Sequence, residues 1–320
     1  MLKKKYFILL TILIILSGIS LFIGVSTVTF SEILQGDGDQ LHILIISRIP
    51  RLLSVLITGV GMSISGLIMQ QLTRNKFVSP TTAATIDFAR LGMLLSLFFF
   101  TSASLTQRLI FSFVSSLVGT FLFMTIMRKV KFQNTLFIPL IGMMLGSVVN
   151  SITMFIAVRF DLVQNINSWA QGSFSTILRG NFELIYLSLP LVVIAFIYAQ
   201  KFTIAGMGED FSTNLGLNYN AIVNIGLVII ALISACIVVT VGTIPFIGLI
   251  IPNIVSIWLG DNLKHTLSFT AIIGALFLLV CDIISRLVVF PHEITISLTV
   301  GVIGSVIFLY LLVRGQSHAK

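Results

Sequence analysis

Residues 221–259 read AIVNIGLVIIALISACIVVTVGTIPFIGLIIPNIVSIWL, without one Asp, Glu, Lys or Arg. As one straight helix at 1.5 Å per residue, the stretch would measure roughly 58 Å, nearly twice the ~30 Å hydrocarbon core of a bilayer. The chain must therefore turn inside it. Gly242-Thr243-Ile244-Pro245 offers the turn, because proline removes a helix hydrogen bond and glycine tolerates unusual backbone angles. Two antiparallel helices fit the stretch, and the fold expected is an all-α, polytopic membrane bundle.

Composition extends that reading to the whole chain. Hydrophobic residues make up 57% of 320 and charged residues 9%, whereas a soluble domain carries about 25% charged residues. The chain has too few charges to cover a surface in water, so membrane lipid is its expected surroundings. The polar stretches are too short to form a separate domain, and residues 1–320 read as a single transmembrane domain. The net charge of +8 is spread over short loops rather than gathered on one face, which argues against a nucleic-acid partner. Cys236 and Cys281 lie in apolar runs and read as packing residues. The lysine-led start and the apolar run to Val25 read as a retained first span, since the run exceeds a signal-peptide core and no small-x-small site clearly follows it.

Apolar runs centre on 6–28, 51–70, 83–101, 108–127, 135–158, 184–200, 221–241, 243–259, 266–290 and 294–313. Ten transmembrane helices place both termini on one side. With the termini in the cytoplasm, the inside holds Lys3, Lys4, Lys5, Arg74, Lys76, Arg128, Lys129, Lys131, Lys201, Lys264, Arg314 and Lys320. The outside holds Arg48, Arg51, Arg108, Arg159, Arg179 and Arg286. The bias favours this orientation by the positive-inside rule. It also puts Gly206–Asn218 in the cytoplasm, a polar turn with adjacent acids, Glu209 and Asp210.

Other residues resist a purely apolar account. Arg48-Ile49-Pro50-Arg51 opens the second span outside. Its arginines can anchor at headgroups or meet an acidic partner through bidentate carboxylate pairs. Asp87 and Arg90 are three apart, Asp282 and Arg286 four apart, and each pair can meet on one helix face as a structural ion pair. No nucleophile–base pair, phosphate loop or metal constellation is present in the sequence, so an enzyme is not expected.

Six motifs in order now give the chain a resemblance. They are Arg48-Ile49-Pro50-Arg51 with Ser65-Gly66 and Gln70; Arg74-Asn75-x-x-x-Ser79-Pro80; Trp169-x-x-Gly172-Ser173; Gly208-Glu209-x-x-x-x-x-Leu215-Gly216; Phe246–Pro252; and Asp282-x-x-x-Arg286. Over nearly its whole length the chain resembles the permease subunits of ABC importers for iron-siderophores, haem and cobalamin, of the FecCD/BtuC type. It departs at Asn253, where the family commonly has histidine, and at Thr81–Gly92, where the family is often Gly-rich. The latter variant is similar to a branch associated with catecholate-type siderophores.

The resemblance implies a type II importer permease in the bacterial cytoplasmic (inner) membrane. It implies a second permease subunit, as homo- or heterodimer, and two cytoplasmic ABC ATPases that use ATP and Mg while this chain binds no cofactor. An extracytoplasmic siderophore-binding protein would deliver the cargo. Gly208, Glu209, Asp210, Leu215 and Gly216 match the ATPase-coupling segment. Arg48, Arg51 and Arg286 match positions that dock the binding protein. The path would be lined by the fifth and tenth spans, where Gly142, Gly146, Asn150, Ser297, Gly301 and Ser305 are the small or polar candidates. Haem or cobalamin import stays open, as does an ATP-independent secondary transporter, although the latter would call for intramembrane carboxylates free of local arginines.

Overall fold

The computed structural model describes residues 2–24, 38–100, 102–129 and 137–317, and has no strand among them. Lys131 and Lys320, two of the charges used for orientation, lie outside the described residues. So do residues 25–28 of the first expected span and the Arg314 side chain.

Helix α1 is Leu2–Phe22. Helix α2, Gly38–Ile43, runs through a π-type turn at Leu44–Arg48 into α3, Ile49–Thr73. Then come α4 (Thr85–Phe99), α5 (Leu105–Lys129), α6 (Phe137–Arg159) and the short α7 (Val163–Ala170). A 3-10 turn at Glu183–Leu187 leads into α8 (Ser188–Ala205), followed by the short α9 (Glu209–Asn214) and α10 (Tyr219–Thr240). The chain closes with α11 (Ile247–Leu259), α12 (Leu263–Leu287) and α13 (Ile296–Ser317).

Eight helical stretches among the described residues are long and apolar enough to cross a membrane. The expected third and eighth spans are the exceptions. Helix α4 has 15 residues and α11 has 13, lengths of about 22 and 20 Å. Each is preceded by irregular chain folded into the protein. Val78, Ser79, Ala83 and Ala84 are buried before α4, and Val241 and Ile244 before α11. Irregular backbone at membrane depth is tolerable only where protein supplies its hydrogen bonds. Here it does: Ala83 N–H donates to Ser79 O at 2.9 Å, and Val241 O accepts from Ser173 N–H at 3.0 Å.

The turn within 221–259 falls where the sequence places it. Helix α10 stops at Thr240, and Gly242 takes φ +93°. A side chain at Gly242 would also meet the Trp169 carbonyl, so glycine is required there for backbone angle and for space.

Helix α3 is the hub, packing on α8, α10, α11 and α12. In lipid, where apolar burial does not drive helices together, close approach depends on small residues. Gly59 of α3 lies against the Gly274 carbonyl of α12, and Gly66 against Gly248 of α11. Between them Ser63 Oγ donates to Gly59 O at 2.7 Å and Thr270 O at 3.1 Å. By contrast α1 packs, among the described elements, mainly on α12 and less on α3. Phe7, Ile8, Ile14 and Ile15 on it face outward, as suits a lipid-facing helix.

Candidate functional site

Two polar regions stand at opposite ends of the bundle. The end remote from the amino terminus holds a buried charge cluster. Pro50 sits in the first turn of α3, where its missing N–H costs nothing, and Arg51 follows it into the bundle. Arg51 Nη2 donates to Asp282 Oδ1 at 2.9 Å, and Nη1 donates to both Glu293 oxygens at 2.8 Å. Arg286 Nη2 pairs with Asp282 Oδ2, so the expected Asp282–Arg286 pair is closed. Arg286 Nη1 also donates to Ser20 O at 2.9 Å and Ile23 O at 2.8 Å. Arg48 Nη1 reaches Ile23 O at 2.9 Å. Among the described residues the cluster joins the Arg48, Arg51 and Arg286 guanidiniums, the Asp282 and Glu293 carboxylates and the C-terminal carbonyls of α1, the negative end of its dipole. Arg48, Arg51, Asp282 and Arg286 are all buried. Glu293 and the end of α1 were not candidates from sequence, and only the scarcity of acids in the chain could have pointed to Glu293.

The other expected pair is not closed. Asp87 and Arg90 form no salt bridge among the described residues. Asp87 lies in the first turn of α4, where a helix dipole favours an acid. Its carboxylate faces Gly146 of α6, so closely that a Cβ there would overlap Oδ2. The reach toward α6 stands beside an electrostatic interaction with Arg90 along α4.

The six path candidates divide. Gly142 packs on Thr82 O in the lead-in to α4, and Gly146 on Asp87 of α4 itself. Asn150 is exposed on α6. Ser297, Gly301 and Ser305 lie four apart along a half-buried stripe of α13, with Ser305 Oγ donating to Gly301 O at 2.6 Å. The outward faces of α6 and α13 are mostly apolar and uncovered in a single chain, with Met144, Val148 and Phe155 beside Ser147, Asn150 and Ser151 on one and Val302, Val306 and Tyr310 on the other.

At the amino-terminal end, α9 stands clear of the bundle on a firm base. Gly208 takes φ +120° before it. Buried Ser212 donates to Ile204 O at 3.1 Å and Gly208 O at 2.7 Å, tying α9 to the end of α8. Glu209 and Asp210 project into solvent. Met207, Phe211 and Leu215, spaced by four, are large apolar side chains that are also exposed. The first two of these knobs were not singled out from sequence, though their spacing was there to read. Beside α9 a cleft of about 430 Å³ is lined by Gln70, Gln71, Arg74, Thr203 and Met207 among others. Its rim is stitched by Lys76–Asp261 at 3.1 Å and by Gln71 Nε2 donating to Asp261 O at 3.1 Å. Thr203 Oγ1 accepts from Leu263 N–H at 3.1 Å, linking α8 to α12. No group of three or more His, Cys, Asp or Glu able to hold a metal occurs among the described residues.

A family model described as the FecCD transport family matches residues 10–314. The chain is 55% identical over 317 residues to the petrobactin import system permease protein YclN of Bacillus subtilis (strain 168), covering 99% of this chain and 100% of that protein. It is 39% identical over 300 residues to the ferric-anguibactin transport system permease protein FatD of Vibrio anguillarum, covering 94% and 96%. A solved structure described as an inward-facing conformation of a metal-chelate type ABC transporter superposes with TM-score 0.84 at 25% identity, covering 98% of this chain and 99% of that one.

Proposed function

The chain belongs to the FecCD transport family, and we propose that it is the membrane subunit of an ABC importer for a ferric siderophore, with a petrobactin-type chelate as cargo. The observation that carries this reading is the end-to-end, 55% identity to a petrobactin import permease. The exposed α9 fits it. A catecholate-type cargo, suggested by Thr81–Gly92, is the finer reading.

In the proposed mechanism residues 1–320 form one transmembrane unit. The short α4 and α11, each with its buried irregular lead-in, complete ten crossings, with both termini in the cytoplasm. Two such subunits, alike or related, pair through the apolar faces of α6 and α13, and Asn150 and the Ser297–Gly301–Ser305 stripe border the path. A separate cytoplasmic ATPase uses ATP and Mg. Its closure pushes on Glu209, Asp210 and the Met207–Phe211–Leu215 knobs, with Gly208 and Gly216 setting the turns at either end. The hydrogen bonds from Ser212 into α8 and from Leu263 to Thr203 pass that push to α8 and α12. This is a two-state bundle biased by ligands bound elsewhere. At the opposite end, the acidic binding protein meets Arg48, Arg51 and Arg286 once Glu293 gives up Arg51.

The test is uptake of iron-labelled ferric petrobactin in a strain lacking this chain, with and without its restoration. Restored, ATP-dependent uptake is expected. Uptake that is indifferent to the chain while another ferric siderophore depends on it would replace the cargo, and uptake persisting in vesicles without ATP would replace the mechanism.

A further inference from the structure

Where α1 crosses the corner between α11 and α12, two clefts share Leu259 and Phe269 as walls. The larger, about 540 Å³, is apolar, with Trp258 on one wall and Lys5 as its one charged group. The smaller, about 240 Å³, is lined by Lys3, Lys264 and His265. Among the described residues no acid lines either cleft. The acid nearest to Lys264 in sequence, Asp261, is held by Lys76 at 3.1 Å.

Two other basic groups at this end are engaged by aromatic rings. Arg128 lies against the Tyr219 ring and Lys201 over Tyr198. Lys3, Lys5 and Lys264 form no ion pair among the described residues; Lys3 and Lys264 line the smaller cleft, and Lys5 the larger one that adjoins it. An apolar cleft with an all-basic end has the chemistry of a lipid: basic pockets between membrane helices hold anionic headgroups, each Lys or Arg contributing about 1 kcal/mol. Trp258, 64% exposed, is the amphipathic ring that settles at headgroup depth.

We propose that the paired clefts hold one anionic phospholipid from the leaflet at the amino-terminal end. Its phosphate lies against Lys3, Lys264 and His265, and an acyl chain runs along the wall formed by Trp258, Leu259 and Phe269. The lipid fastens α1, which few protein contacts hold, to the α11–α12 corner. The proposal requires only that the bundle cross a bilayer, and it is independent of the cargo.

The experiment is native mass spectrometry and thermal unfolding of the purified chain in neutral detergent. Phosphatidylglycerol and phosphatidylcholine of equal acyl length are added separately. Phosphatidylglycerol is expected to be retained and to raise Tm, and phosphatidylcholine to do neither. The triple variant K3Q/K5Q/K264Q, all at exposed positions, should lose retention by roughly tenfold or more, and K129Q, outside the clefts, should retain it. W258A should also weaken retention, through the apolar wall. Equal retention of the two lipids, or a triple variant that binds like the parent, overturns the site. Stabilisation reproduced by inorganic phosphate alone overturns the lipid as its occupant.

Discussion

Asp282 divides its two oxygens between Arg51 and Arg286 in a pocket closed to solvent. Removing one partner of a buried ion pair is costly because it strands the other charge, typically by about 3–5 kcal/mol. Asp282→Asn keeps the shape and takes from Arg286 its carboxylate partner while Arg51 keeps Glu293, so it should destabilise the purified chain by that order and lower Tm clearly. Glu293→Gln should cost less, since the Glu293 side chain is 22% exposed and water can replace it. Equal Tm values for D282N and the parent would remove the cluster from the account of stability. The sequence made half of this cluster legible. Asp282 and Arg286 sit one helical turn apart, and that spacing predicts their contact. Arg51 lies 231 residues from Asp282 and 242 from Glu293, and no local periodicity carries so long a pairing.

Among elements, the crossing of α3 over α11 is set by contact rather than composition. A Cβ on Gly66 would come within 1.9 Å of the Gly248 carbonyl oxygen, which is backbone and cannot swing aside. A Cβ on Gly301 of α13 would find only Pro245 Cγ at 3.9 Å. Gly66→Ala should therefore destabilise by about 1–3 kcal/mol or more through overpacking, while Gly301→Ala should leave the Tm of the single chain close to the parent. If both substitutions prove silent, the close crossing is refuted. The small residues of α3 were plain in the sequence, but which of them meets a backbone was not, because every small-x-x-x-small face offers the same pattern. Helix α9 supports a further prediction. Phe211 is 48% exposed, so Phe211→Ser should spare Tm yet reduce co-purification of the proposed ABC ATPase partner relative to the parent chain. Undiminished co-purification would show that the knobs do not touch the ATPase.

For the whole molecule, orientation decides which end meets ATP and which meets the delivered cargo. The amino-terminal end carries Lys3, Lys4, Lys5, Arg74, Lys76, Arg128, Lys129, Lys201 and Lys264. The opposite end carries six arginines, but Arg48, Arg51 and Arg286 are buried in the cluster. The loops there keep only Arg108, Arg159 and Arg179. The positive-inside rule concerns loop charges, so folding sharpens a bias that the sequence showed more weakly. Sequence could not separate buried from loop arginines, since both fall beside the ends of apolar runs. Single cysteines turn the argument into a measurement. Ser175 lies exposed at the opposite end and Thr213 exposed on α9, whereas Ser212 is buried and would stay silent from either side. The native Cys236 and Cys281 are 0% and 1% exposed, so background labelling should be low. With a membrane-impermeant maleimide on intact spheroplasts, S175C should label at once and T213C only after permeabilisation. The reverse pattern would invert the bundle, place α9 out of reach of any ATP-driven partner, and move the arginine cluster to the side where no delivered cargo arrives.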